Sequence, residues 1–247
     1  MMIKLLAVGA ALALAYAEDQ DEAKSCDTIT FERVDYLVCQ FDPSRADIRL
    51  FHGDDEGDAF RHFNRLEAHL ARKDERLVFA MNAGMYNRAR DPIGLYIDER
   101  GQKKSANTND GPGNFHLKPN GVFYVTDKGA GLEETETFVK AGRRVQYATQ
   151  SGPMLVIDGA LHPKLLKNSD SRKRRNGVGV TSGGEVIFVL ADDPVNFHTF
   201  ARFFRDGLKT PNALFLDGTI SRIFAPELGR NDPGAPMGPI VGVVSNK

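Results

Sequence analysis

Tryptophan is missing from the 247 residues, and cysteine occurs only twice, as Cys26 and Cys39. A broad aromatic platform for stacking sugars would therefore have to come from phenylalanine and tyrosine. Neither sign of charge is in excess: 32 basic and 33 acidic residues leave a formal net charge of −1. That balance gives no support to nucleic acid or an anionic membrane as the main partner. No apolar stretch in the chain is long enough to be read as a membrane span. A Gly-x-x-x-x-Gly-Lys-Ser/Thr phosphate loop and a His-Glu-x-x-His pair are both absent. So is a Gly-x-Ser-x-Gly elbow, because Ser151 sits in Thr149-Gln150-Ser151-Gly152-Pro153. The six histidines are scattered, and two widely spaced cysteines with no histidine nearby do not make a zinc site. No metal or other cofactor is expected, although a loop carboxylate flanked by backbone carbonyls would be compatible with Ca²⁺.

What is present begins with a leader. Met1-Met2-Ile3-Lys4 is a short basic start, Leu5 to Leu14 is apolar, and Ala15-Tyr16-Ala17 has the small-x-small pattern of a cleavage site. Residues 1–17 are expected to be a signal peptide, 18–29 an N-terminal extension and 30–247 one domain. The exported chain would be periplasmic or secreted. In such an oxidising compartment an isolated pair of cysteines forms a disulfide, so Cys26–Cys39 is expected to tie the new N-terminus to the first strand.

The pattern along the chain is dominated by strands. Phe31 to Phe41 alternates and reads as one strand, with Ile48 to Phe51 as its hairpin partner through Asp42-Pro43-Ser44. Leu77 to Met81, Ile93 to Ile97, Val122 to Val125, Met154 to Ile157 and Val241 to Val244 read as further strands. Val178 to Thr181 and Val186 to Leu190 form a hairpin around Ser182-Gly183-Gly184. Helical spacing appears in Asp58 to Arg72, with Asp58 as N-cap, and in Phe197 to Leu208. Ser105 to Asn120 is a long polar loop of the kind that is usually functional or mobile. The fold class expected is α+β: a single domain, a mixed β-sheet core and two main amphipathic helices.

The run Asn212 to Leu216 ends abruptly at Asp217-Gly218. This is the signature of a buried strand feeding a tight loop, and an acid on that lip is well placed to work on a ligand. Asp-Gly is equally an ordinary turn dipeptide. Three other polar, Gly-containing segments border buried strands: Asn82-Ala83-Gly84, Ser151-Gly152-Pro153 and Arg175-Asn176-Gly177. If these four met at one sheet edge they would make a polar pocket on a rigid scaffold.

In order and spacing, four segments resemble one family. They are Met81-Asn82-Ala83-Gly84-Met85-Tyr86, Gln150-Ser151-Gly152-Pro153-Met154-Leu155, Arg175-Asn176-Gly177-Val178-Gly179 and Leu216-Asp217-Gly218-Thr219-Ile220-Ser221. Together they are similar to the motifs of the phosphodiester glycosidase family, in its bacterial exported branch, over about residues 30–245. Ala83 and Thr219 stand where the family has glycine. The resemblance implies a hydrolase that cleaves a sugar-1-phosphodiester at the glycosidic bond, acting on a small sugar phosphodiester or an envelope glycan.

It implies Asp217 as the carboxylate for an oxocarbenium-like transition state. Arg175 is implied as the cation for the phosphate. Asn82, Ser151, Ser221 and the loop residue Asn114 would be hydrogen-bonding groups for sugar or phosphate oxygens. A second acid is expected at Asp192, with Asp110 and Asp193 as the other choices. Two further readings stay open: a phosphodiesterase that cuts the P–O bond, and a non-catalytic envelope-glycan binder on the same fold.

Overall fold

The computed structural model describes residues 25–217 and 220–246; the expected signal peptide and most of the extension lie outside these described residues. At its centre is the strand Asn212–Asp217. Successive side chains of a strand point to opposite faces, and here both faces are packed. Leu214 and Leu216 enter the main core beside Phe79, Phe123 and Phe188, while Ala213 and Phe215 enter a second core with Phe200 and Phe204. Double burial is why the sequence shows a continuous apolar run there instead of alternation. The neighbouring strand Val186–Val195 divides in the same way, with Val186, Phe188 and Leu190 on one side and Ile187, Val189 and Ala191 on the other.

These strands belong to a seven-stranded sheet in the order Cys26–Phe31, Val34–Phe41, Val186–Val195, Lys173–Val180, Asn212–Asp217, Met154–Ile157, Ala160–Leu161. A five-stranded sheet runs Arg230–Asn231, Ile223–Ala225, Glu75–Asn82, Ile240–Asn246, Asp47–Phe51, and another runs Gly101–Lys104, Tyr96–Asp98, Tyr147–Ser151, Gly121–Thr126, Gly129–Glu134. The pairings between these strands are antiparallel throughout, so the core is not the mixed sheet expected. The main core lies where the three sheets face one another: Phe79, Phe123 and Phe188 come one from each.

The helices are short and lie on a β scaffold. Phe63–Ala71 buries Phe63, Leu66 and Leu70 against Leu77, Ala80 and Phe224. It starts later than expected, with His62 rather than Asp58 at the N-cap, because Ala59 is held in a bridge to Gly53. Phe197–Arg202 is capped by the Asn196 side chain, which accepts from the Thr199 amide, and continues as a wider π turn over Phe203–Gly207. It packs Phe200, Phe203 and Phe204 onto the outer face of the large sheet. A third helix, Thr135–Ala141, was not expected. Two main helices is therefore a poor summary; the protein is predominantly β.

Two strand pairings also differ from expectation. Phe31 to Phe41 is not one strand: Glu32 and Arg33 take left-handed φ values of 49° and 67° and turn a hairpin between Cys26–Phe31 and Val34–Phe41. Such two-residue turns are normally marked by Asn-Gly or Asp-Gly, so Glu-Arg hides the turn. Asp47–Phe51 does not pair with its sequence neighbour; it pairs with Ile240–Asn246 in another sheet. In the N-terminal hairpin Cys26 sits directly opposite Cys39 and the two form a disulfide across 13 residues. Closing a loop of that length removes unfolded-state entropy worth about 3 kcal/mol. Urea unfolding with and without a thiol reductant should show a stability loss of about 2–3 kcal/mol on reduction; coincident curves would mean that the ladder of the hairpin alone holds this edge.

Candidate functional site

The strand Lys173–Val180 lies beside Asn212–Asp217, with Asn176 opposite Asp217. The segment Arg175-Asn176-Gly177, expected as a turn, is thus inside a strand. Gly177 is required there by packing: a Cβ would lie 2.8 Å from the Leu214 carbonyl oxygen and 3.2 Å from the Phe200 ring. Gly84, just past the strand Glu75–Asn82, has φ +35°, and a Cβ would run into Thr149 Oγ1. Both glycines let the polar strand ends approach closely.

Asn176 is fully buried and joins these ends. Its Nδ2 donates to the Asn82 carbonyl oxygen at 2.7 Å, and its Oδ1 accepts from the Asp217 backbone amide at 2.9 Å. Ser221 Oγ donates to the Asp217 carbonyl oxygen at 2.7 Å, and Ser151 Oγ donates to the Leu216 carbonyl oxygen at 2.9 Å. Asn82 Oδ1 accepts from the Arg222 amide at 2.8 Å. Asn82, Ser151 and Ser221, expected to touch substrate, each make a hydrogen bond to backbone near Asp217, while the buried Asn82 Nδ2 has no hydrogen-bond partner. None of the three lines the adjoining cavity.

That cavity has a volume of about 540 Å³, and its walls include Asp217, Arg175, Tyr86 and Asn114. Asn114 reaches it from a 3₁₀ turn, Asn114–His116, in the long polar loop. Arg175 is 1% exposed. Its Nε donates to the Val195 carbonyl oxygen at 2.8 Å and its Nη2 to the Ser171 carbonyl oxygen at 2.9 Å. The guanidinium carbon lies 3.7 Å from the Phe197 ring centroid, a cation–π contact that only a planar cation makes well. No carboxylate among the described residues lies within ion-pair distance of it. Burial pushes its pKa down to about 10, which leaves it charged at neutral pH. A buried charge without an acid partner is costly unless a ligand supplies the counter-charge.

Tyr86 was not among the expected site residues. Burial, followed by the nearby Asp217 carboxylate, holds its phenol well above the usual tyrosine range. It is therefore a neutral donor at any ordinary pH. The Arg90 guanidinium stands 5.4 Å from the centre of its ring. A tight turn, closed by the Tyr86–Pro92 bridge, brings Arg88 and Arg90 to the cavity along with it. The sequence signals for Tyr86 were its place at the exit of a buried strand and at the end of the family-like segment Met81 to Tyr86.

The structure places Asp192 elsewhere. Its carboxylate accepts from Arg174 at 2.5 Å and from Arg230 at 2.7 Å, and it does not line the cavity. Burial acts the other way, but these hydrogen bonds hold its carboxyl below the usual range. Arg174, which holds it, also bonds Asp232 and is not part of the cavity lining, unlike its neighbours Lys173 and Arg175. Asp110 is exposed, pairs with Lys118 at 2.8 Å and is also outside the cavity. Asp193 is likewise not part of the lining. Asp55, His69 and Glu99 bring ligand atoms within 4.8 Å of one another. Lys73 already stands 3.4 Å from Asp55 and 3.8 Å from Glu99, however, and none of the three borders the cavity.

The model of the family "phosphodiester glycosidase" matches residues 75–244. The chain is 35% identical over 182 residues to uncharacterized protein YigE of Escherichia coli (strain K12), covering 74% of this chain and 71% of that one. Its fold is similar to the catalytic domain of zebrafish N-acetylglucosamine-1-phosphodiester alpha-N-acetylglucosaminidase, auto-inhibited by pro-peptide. That match has a TM-score of 0.60 at 15% identity and covers 88% of this chain and 81% of the other. A hypothetical protein from Synechocystis matches with a TM-score of 0.54 at 14% identity, over 89% and 61% of the two chains.

The Asn176 contacts generate a stability test. Asn176→Ala leaves the Asp217 amide and the Asn82 carbonyl without their partner, and each buried orphan costs about 1–3 kcal/mol. Urea unfolding should show a loss of about 2–4 kcal/mol, against about 1 kcal/mol for Ser221→Ala, which removes one donor. Equal small losses would show that Asn176 does not join the two strands.

Proposed function

This chain belongs to the phosphodiester glycosidase family, and from that premise we propose that it cleaves a sugar-1-phosphodiester between the anomeric carbon and the phosphate oxygen. The observation that carries this reading is the composition of one cavity: a single carboxylate, Asp217, together with a buried arginine that has no acid partner among the described residues. An ordinary glycoside needs two carboxyl groups, one of them to protonate the leaving oxygen. A phosphate leaves without that proton and asks for a cation instead.

The steps follow from these groups. Arg175, fixed by two backbone carbonyls and the Phe197 ring, takes the phosphate. As the C1–O bond breaks, its electron pair leaves with the phosphate monoester, and Asp217 stabilises the positive charge that grows on C1. Water then bonds to C1 and gives up its proton. With Asp217 acting as base on that water, the sugar is released with inverted configuration; with Asp217 attacking C1 first, the configuration is retained. Tyr86, held neutral, donates a hydrogen bond to a sugar or phosphate oxygen. This sequence calls on no cofactor.

Asn82, Ser151 and Ser221 serve as positioning residues that hold the Asp217 lip. Ala83, one of the two departures from the family pattern, is fully buried in the main core and brings no side chain to the cavity. Thr219, the other, lies outside the described residues. The leader pattern of residues 1–17 and the Cys26–Cys39 disulfide support export to the periplasm or beyond. There the sugar phosphodiesters of envelope glycans or lipid head groups are the natural class of substrate.

A panel of aryl diesters of sugar 1-phosphates, with N-acetylglucosamine 1-phosphate among them, tests the bond that is cut. Free reducing sugar plus aryl phosphate is expected; sugar 1-phosphate plus phenol would show P–O cleavage instead, and saturable binding without turnover would show a binding protein. Asp217→Asn should lower kcat by about 10³-fold. Arg175→Lys should lower kcat/KM by about 10²-fold, with circular dichroism confirming the fold. Full activity in Asp217→Asn would remove that residue from the reaction.

A further inference from the structure

The cavity carries more positive charge than one phosphodiester can use. A single phosphate monoanion is matched by Arg175 alone, in the bidentate manner open to a guanidinium. Lys173, Arg88 and Arg90 line the same space. None of these three forms an ion pair with a carboxylate among the described residues, whereas other arginines nearby do: Arg174 and Arg230 with Asp192 and Asp232, and Arg202 and Arg205 with Asp206. Acids and bases balance over the chain as a whole, so this excess is a local separation of charge.

The arrangement is also directional. Lys173 and Arg175, two residues apart at the start of the strand Lys173–Val180, both line the cavity, across a point where the strand's register shifts. Arg175 is buried and Lys173 is exposed, so the pair runs from the floor of the cavity to its mouth. Arg88, also exposed, comes to that mouth from the turn between Tyr86 and Pro92. Asp217 and Tyr86 stand with Arg175 at the inner end. An anion held at the mouth would thus lie on the leaving-group side of a phosphate held by Arg175.

We propose that Lys173 and Arg88 form a second anion subsite, and that the group leaving with the phosphate carries a further phosphate. The orientation rests on the reaction proposed above; the subsite itself does not. Two substrate classes share this chemistry: a sugar joined through a diphosphate linkage, and a sugar on a chain of repeating phosphodiesters.

Calorimetric titration of the purified wild-type chain at fixed ionic strength tests it with three sugar-free probes: methyl phosphate, methyl diphosphate and a glycerol-phosphate trimer. At least one of the two longer probes should bind ten-fold or more tightly than methyl phosphate. The one that does identifies the linkage. The double variant Lys173→Ala/Arg88→Ala should abolish that preference, while Arg175→Lys should weaken all three probes. Equal affinities in the wild-type chain, or a preference that survives the double variant, would overturn the subsite. Because no probe is turned over, failure of the sugar-release assay would refute the reaction and leave this result standing.

Discussion

The arrangement of the site depends on one buried amide. Asn176 accepts from the backbone of one strand end and donates to the backbone of another, and so fixes where the chain leaves both. Backbone groups at the ends of sheets lack ladder partners, and burying them unpaired is expensive. A side-chain amide, with donor and acceptor at opposite corners, satisfies one of each. Ser151 and Ser221 complete the same task on the Leu216 and Asp217 carbonyls. The Asp217 carboxylate then stands on a lip held by the sheet behind it.

Burial also sorts the polar residues by role. Asn82, Ser151, Asn176 and Ser221 are all buried, and each makes at least one hydrogen bond to the backbone. Arg175 is as deeply buried, yet two of its donors go to neutral carbonyls and no carboxylate among the described residues pairs with it. Arg222 shows the contrasting use of the same side chain. It is buried too, but it donates to the carbonyl oxygens of Asp232 and Ala235 and acts as a staple for that segment.

How much of this was legible in the sequence follows from the range of each interaction. The doubly buried strand Asn212–Asp217 was readable because burial on both faces writes a continuous apolar run. Asp217 and Arg175, which line the cavity, could be named as candidates because they sit in short segments with a recognisable order, and Asn114 because it sits in a long polar loop. The Glu32-Arg33 turn was hidden because nothing in that dipeptide demands a left-handed backbone. The pairing of Asp47–Phe51 with Ile240–Asn246 was hidden because it joins residues almost two hundred apart. Asp192 looked suitable at the end of an apolar run, but its two arginine partners come from elsewhere in the chain and only the fold brings them in. The backbone contacts of Asn82, Ser151 and Ser221 were hidden for the same reason: a polar residue at a strand end reads alike whether it faces a cavity or a carbonyl.

The double burial of the central sheet has a consequence for how such a protein can diversify. With apolar side chains packed against both faces of Asn212–Asp217, neither face can be remodelled without disturbing a core. New specificity must come from segments that border the cavity without sharing those cores. The turn between Tyr86 and Pro92 and the long polar stretch around Asn114 are such segments. Relatives of this chain would then be expected to keep the strand ends almost unchanged and to vary in these two loops, so that inheritance of the chemistry and choice of the molecule are carried by different parts of the sequence.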